Sequence, residues 1–226
     1  MMKKVLVVVD MQNDFIDGAL GTKEAEKIVP YAVEKIRTAR ENGEHIICTM
    51  DTHRNGYLQT SEGKNLPVEH CMIGTKGWRL HKDIVGALGD EFAERMDRAV
   101  WEIENNPLLN NENDFILFRN ENDGQHISVL AKGQFGSPDI CEETAQCIGG
   151  YRLQKAYKKG NETGAGIQIE MIGLCTDICV IANAILLKTY FPEADITVDS
   201  RGCAGATEEK HNAALEVMRS CQINVI

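Results

Sequence analysis

The stretch Lys4–Val9, KVLVVV, followed at once by Asp10-Met11-Gln12-Asn13-Asp14-Phe15, decides the fold. It is almost wholly apolar and β-branched, without the alternation of a strand that has one wet face. A run of this kind predicts a parallel strand buried on both faces. Outward from it, apolar runs and helical patterns alternate. Thr22 is placed to cap a helix that runs to about Glu41 and stops at Asn42-Gly43. His45–Met50 (HIICTM) reads as a second strand and Phe115–Phe118 (FILF) as a third, with Ile167–Ile172, Asp195–Val198 and Ile223–Ile226 completing the set. Helical spacing covers Arg79–Met96, Ile140–Lys158, Thr176–Tyr190 and Thr207–Arg219. Alternating β and α units predict a mostly parallel sheet with right-handed crossovers and helices on both faces.

The 226 residues suit one domain, 1–226, interrupted at 51–77 by a stretch without regular period. Two further stretches, 101–126 and 141–166, are longer than simple connections need, and the Asn-rich first one reads as an inserted hairpin. Lys plus Arg number 24 against 34 Asp plus Glu, a formal charge of −10. Such an acidic chain is a poor partner for nucleic acid or an anionic membrane, both of which need a basic face. The opening apolar run ends at Asp10, too short for a signal-peptide core, and no run approaches the ~20 residues of a membrane span. These features predict a cytoplasmic protein whose eight cysteines are reduced thiols.

In doubly wound sheets, ligands bind beyond the carboxyl ends of the strands, where the strand order reverses. Asp10 follows the first strand, where an Asp is equally at home as a turn former. Asp51 and His53 follow the second and, two apart, point to the same side of an extended chain. With His70 and the intervening Glu62 they make a nitrogen–oxygen ligand set of the kind that holds Zn, Mn or Fe. His45, His81, His126 and His211 sit in ordinary contexts and read as structural or solvated. After the Ile167–Ile172 strand, Gly173–Asp177 opens an apolar helix that Thr176 or Asp177 can cap, putting Cys179 in its first turn. Cys179 is either core or a nucleophile. As a nucleophile its pKa would be lowered by the positive end of the helix, beside backbone N–H groups able to hold an oxyanion. Cys175, ahead of the helix, is the competing thiol. Lys132 lies between an apolar run and a Gly-rich turn, a surface residue unless the fold brings it to an acid and a thiol.

Taken together, DMQNDF (Asp10–Phe15), DTH (Asp51–His53), EHCMIGTKGW (Glu69–Trp78), AKGQFGS (Ala131–Ser137) and GLCTDICV (Gly173–Val180) resemble the isochorismatase-like cysteine hydrolases. Within that superfamily the set looks most like the nicotinamidases. The resemblance implies a three-layer α/β/α fold with a six-stranded parallel sheet of order 3-2-1-4-5-6. It implies a catalytic triad of Asp10, Lys132 and Cys179, and a cis peptide at Leu174–Cys175. It also implies an oxyanion hole from the N–H groups of Cys175 and Cys179. Asp51, His53 and His70 match metal ligands. Glu62 fits a fourth ligand that varies among relatives, where Tyr57 and Glu69 also lie near in sequence. Phe15 would wall a flat ring. The expected activity is hydrolysis of nicotinamide to nicotinate and ammonia through a thioester, with one divalent ion, zinc first, orienting the ring. The expected partners are a small-molecule amide and further copies of the chain in a homo-oligomer. Three rivals remain: an amidase acting on another amide or carbamoyl compound, a hydrolase in which metal-bound water attacks, and a non-catalytic sensor of ring compounds.

Overall fold

The computed structural model describes residues 3–105, 115–122, 125–148 and 164–226. Its sheet has seven strands, β1 (Lys3–Val9), β2 (His45–Asp51), β3 (Phe115–Asn122), β4 (Gln125–Lys132), β5 (Ile167–Leu174), β6 (Asp195–Ala204) and β7 (Asn224–Val225). They lie in the order β3-β4-β2-β1-β5-β6-β7. The six strands from β4 to β7 are parallel and, counted among themselves, run 3-2-1-4-5-6. β3 adds an antiparallel edge beside β4. This corrects one sequence expectation. Phe115–Phe118 belongs to the outer arm of a hairpin, and the third parallel strand is Gln125–Lys132, whose polar start QHIS masks the apolar run behind it.

The helices are α1 (Asn13–Ile16), α2 (Lys23–Glu41), α3 (Ser61–Asn65), α4 (Lys82–Leu88), α5 (Asp90–Asn105), α6 (Asp139–Cys147), α7 (Ile181–Tyr190) and α8 (Glu208–Ser220). Thr22 caps α2 by accepting from the Ala25 N–H at 3.0 Å. Thr207 does the same for α8 through the Lys210 N–H. The helix expected over Arg79–Met96 is two helices, broken at Gly89, where φ is +99° and the side chain of Arg40 fills the space a Cβ would need. The continuation of α6 expected to Lys158 lies outside the described residues beyond 148.

Five central residues of β1, Val5–Val9, are at most 2% exposed. Leu6 and Val8 pack into a core formed with α2, α4 and α5, whereas Val5, Val7 and Val9 pack into a second core formed with α6, α7 and α8. Each such side chain contributes about 2 kcal/mol by leaving water. This two-sided burial is why the run carries no polar alternation. β1 and β5 are neighbours at the point where the strand order reverses, and they touch closely there. Val9 pairs with Gly173, and a Cβ on Gly173 would lie 2.0 Å from the Val9 carbonyl oxygen.

A buried charge ties α2 to β6. Asp199 has a fully buried side chain that accepts hydrogen bonds from the Tyr31 hydroxyl (2.6 Å) and from Arg201 Nε and Nη2 (both 2.8 Å), with Lys35 Nζ 3.3 Å away. Burial alone would raise its pKa, but these three partners lower it to about 2. Because the folded value lies below the unfolded one, the stabilisation is complete above about pH 4 and is lost as pH falls through 2. Asp199→Asn is expected to cost about 1 kcal/mol at pH 7, allowing for screening at the exposed Arg201. The gap between urea midpoints of the two proteins should shrink below pH 4 and close as pH falls below 2, and a gap that does not shrink over this range would contradict this account.

Candidate active site

Asp10, Asp51, Lys132 and the Cys175–Cys179 turn all follow or end parallel strands, on one edge of the sheet. Asp10 has φ +48°, a left-handed conformation that Asp tolerates better than β-branched residues, and it turns the chain sharply out of β1. Its Oδ1 accepts from the Thr49 hydroxyl at 2.6 Å, and its Oδ2 lies 2.7 Å from Lys132 Nζ. Lys132 is wholly buried and its ammonium also donates to Cys179 Sγ at 3.6 Å and sits 3.8 Å from Asp51 Oδ1. The three residues that the sequence scatters over 170 positions therefore meet around one ammonium.

The electrostatics of this cluster correct another expectation. Burial raises the Cys179 pKa well above the ordinary thiol value; Lys132 pulls it down, but Asp10 and Asp51 push it further up. The helix-end effect inferred from sequence is thus outweighed by desolvation, and the resting thiol is neutral. Burial also raises the Asp10 pKa, opposed by Lys132. For Lys132, burial favours the neutral amine, yet Asp10, Cys179 and Asp51 together raise its pKa well above normal. The arrangement is a buried lysine–aspartate pair with a thiol beside it.

Cys179 stands in a π turn, Thr176–Val180, rather than in the first turn of a capped α-helix. The N–H groups of Ile178 and Val180 both bond the Cys175 carbonyl, and the Leu174–Cys175 peptide is cis. Neither expected cap forms. Thr176 Oγ1 instead pairs with His211 Nδ1 at 2.8 Å, and Asp177 Oδ1 accepts from the Ala206 N–H at 2.9 Å. These contacts pin the turn to the start of α8.

The second cluster lies beside the first. Asp51 Oδ2 is 3.0 Å from His53 Nε2 and 3.4 Å from His70 Nε2, and Glu62 Oε1 is 3.6 and 3.9 Å from the same two nitrogens. The His70 Nδ1–H group donates to the Val68 carbonyl at 2.8 Å, which leaves its Nε2 lone pair facing inward. His53 Nε2 is buried without an aligned hydrogen-bond partner. Two imidazole nitrogens and a carboxylate oxygen lie within 4.8 Å of one another, with a second carboxylate adjoining, so the residues fit a divalent ion of the zinc type. Tyr57 is no ligand, since its hydroxyl donates to the Leu66 carbonyl while its ring packs 4.5 Å from His53 and 5.2 Å from His70. Glu69 is exposed and takes no part in the cluster. Asp51 belongs to both clusters, one oxygen toward Lys132 and the other toward the imidazoles, so the two sets are less separable than their places in the sequence suggest.

Other positions missed in the sequence hold this frame. Gln12 is fully buried; its amide donates to the carbonyls of Asp51 and Trp78 and accepts from the Asp51 N–H. Asp14 Oδ2 accepts from the Cys71 N–H, and Gly77 is required because a Cβ there would meet Asp14 at 2.0 Å. Polar residues flanking the Asp10 and His70 motifs were the available signal. Phe15 borders the cavity, edge-on to His70 with ring centroids 5.5 Å apart. Asp51, Glu62, His70, Cys175 and Cys179 share that cavity, whose volume is about 800 Å³. His45, His81, His126 and His211 lie elsewhere and make structural contacts.

Residues 4–104 match the family model described as the Isochorismatase domain. No relative among curated proteins matches the chain. Similar solved structures include the pyrazinamidase/nicotinamidase from Streptococcus mutans, 23% identical, covering 99% of this chain and 100% of that one, with a TM-score of 0.63. The pyrazinamidase of Pyrococcus horikoshii in complex with zinc is 22% identical, covering 99% and 98%, with a TM-score of 0.60. N-carbamoylsarcosine amidase from Thermoplasma acidophilum is 24% identical, covering 99% and 95%, with a TM-score of 0.58. The fold is isochorismatase-like. No helix among the described residues is long and apolar enough to cross a membrane.

The ligand geometry makes a direct prediction. The protein dialysed against zinc should retain about one ion per chain by atomic emission, and His53→Ala should lose it. Cys179→Ala should keep it, because Cys179 is no part of the ligand cluster. Equal zinc in all three proteins would contradict the ligand assignment.

Proposed function

We propose that this protein is a metal-binding cysteine amidohydrolase that hydrolyses nicotinamide to nicotinate and ammonia. The observation that carries the reading is the position of Lys132 Nζ, 2.7 Å from Asp10 Oδ2 and 3.6 Å from Cys179 Sγ, beside the cavity. A lysine is buried there only because the carboxylates of Asp10 and Asp51 compensate its charge. Nicotinamidase and carbamoyl-amidase names among the structural neighbours support amide chemistry, and the Asp51, His53, His70 and Glu62 cluster supports the first over the second.

In this mechanism the Asp10 carboxylate takes the Cys179 proton as the sulfur attacks the carboxamide carbon. Lys132 stays charged and steadies the resulting anionic groups. The N–H groups of Cys175 and Cys179 hold the oxyanion, each worth about 3 kcal/mol by analogy with measured oxyanion holes. Asp10 then gives its proton to the leaving nitrogen, and ammonia departs from a thioester on Cys179. Water, deprotonated by Asp10, cleaves that thioester and restores the thiol. Phe15 packs against the ring. A divalent ion held by Asp51, His53, His70 and Glu62 supplies an electrophile for the ring nitrogen. The cytoplasm and a homo-oligomer are the setting this reading proposes.

Ammonia release tests it. Cys179→Ala should abolish turnover, Asp10→Asn should lower it by about 10²–10⁴-fold, and Cys175→Ala should retain substantial activity because only its backbone is used. Near-normal turnover of Cys179→Ala would refute covalent catalysis. The metal-loaded enzyme should strongly prefer nicotinamide to benzamide, and His53→Ala should erase most of that preference. If metal-bound water were the nucleophile, both amides would fail together in His53→Ala. Equal handling of both amides by the metal-loaded enzyme would remove the case for nicotinamide.

A further inference from the structure

The cavity is larger than the proposed substrate. Ligand sites that enclose drug-sized molecules run from roughly 300 to 1,000 Å³. At about 800 Å³ this one has far more room than a single ring with its carboxamide can occupy. The ring, placed by Cys179 and the Asp51–His70 cluster, takes one end. The remaining wall is largely apolar, formed by Leu20, Ala25, Leu66, Phe135 and Ile178. Phe135 is half-exposed and Leu66 is 36% exposed, an unusual amount of open apolar surface for a site that closes on a small polar amide.

The charge around this extra space is uneven. Among the described residues, Lys210 is the one cationic side chain bordering the cavity. The two carboxylates that border it, Asp51 and Glu62, belong to the metal-ligating cluster at the other corner. Lys210 is in the first turn of α8, next to His211, whose ring pairs with Thr176 in the nucleophile turn. Ala206, four residues before it, is tied to Asp177 in the same turn. The backbone of Lys210 is therefore fixed against the element that carries Cys179. Its N–H bonds the Thr207 cap, while its ammonium makes no ion pair among the described residues, although Glu208 and Glu209 share its helix turn.

We infer that the site also accepts aromatic primary amides larger than nicotinamide, whose ring bears an apolar arm ending in an anionic group, with Lys210 selecting that group. The inference rests on the amidohydrolase reading for the position of the amide, and the arm lies along the apolar wall. A carboxylate meeting an exposed ammonium gains little in absolute affinity, about 1.5-fold to fivefold at low salt. It discriminates against neutral arms by that margin and against cationic arms by more, and both margins shrink as ionic strength rises.

The test uses zinc-loaded protein and two probes. One is nicotinamide carrying a propanoate chain on the ring carbon meta to both the carboxamide and the ring nitrogen, and the other is its propanol counterpart. Binding of both is measured by calorimetry in Cys179→Ala, where no chemistry intervenes. The acid should bind about 1.5-fold to fivefold more tightly than the alcohol at low salt. That ratio should fall to about one when Lys210→Gln is added and drop below one with Lys210→Glu. In protein with Cys179 intact, kcat/KM should show the same order, and the acid's advantage should fade in high salt. An acid-to-alcohol binding ratio near one, or one unmoved by Lys210→Glu, overturns the inference. So does exclusion of both probes by protein that binds nicotinamide. Binding ratios as expected without hydrolysis of any amide would keep the anionic subsite and refute the amidohydrolase reading, so the two fail separately.

Discussion

Everything at the carboxyl edge of this sheet is organised around a lysine that water cannot reach. The Lys132 ammonium is fully buried, and an isolated buried ammonium would shed its proton rather than persist. It stays charged because Asp10 at 2.7 Å and Asp51 at 3.8 Å supply negative charge. That requirement reaches outward. Asp10 must leave β1 in a left-handed turn, Thr49 must donate to its other oxygen, and Gln12 must clamp the end of β2 so that Asp51 faces two ways. Asp51 in turn ties the lysine to the imidazole pair. Removing any one of these charges leaves another buried without its partner, which typically costs 3–5 kcal/mol.

The same ion pair sets the chemistry available to Cys179. A thiolate formed at rest would share a dry space with two carboxylates, and burial together with those carboxylates holds the proton on sulfur. In the proposed mechanism the nucleophile is therefore made only when Asp10 accepts that proton, in contrast to thiols whose pKa is depressed in the free enzyme. Burial pushes the Cys48 and Cys203 thiols up to about 12, and both behave as small apolar side chains.

Much of this was legible in the sequence, for identifiable reasons. The apolar β-branched run of β1 and the DTH spacing express local geometry, and both survived folding intact. The cap at Thr22 also followed, whereas the convergence of Asp10, Lys132 and Cys179 followed only from the family resemblance, since nothing local places Lys132 beside an acid and a thiol. What was not legible depended on three-dimensional surroundings. The strand Gln125–Lys132 hides behind polar residues, and the antiparallel setting of Phe115–Asn122 follows from hairpin pairing that a four-residue apolar run does not reveal. Thr176 and Asp177 look like helix caps until His211 and Ala206, some 30 positions away, claim their oxygens. The direction of the Cys179 pKa depended on burial, which outweighs the local helix end. Tyr57, near enough in sequence to be weighed as a ligand, instead packs its ring against the two imidazoles of the cluster.

The central claim is that the Lys132-supported Asp10 turns a neutral Cys179 thiol into a nucleophile that carries the acyl group. Rapid acid quenching of the zinc-loaded protein during nicotinamide turnover, followed by intact-mass and peptide mass spectrometry, tests this directly. The account predicts an adduct with the mass of a nicotinoyl group on the peptide that contains Cys179, with fragmentation placing it on that sulfur and not on Cys175. Turnover with no protein-bound acyl group at any quench time, or an adduct borne by Cys175, would contradict it.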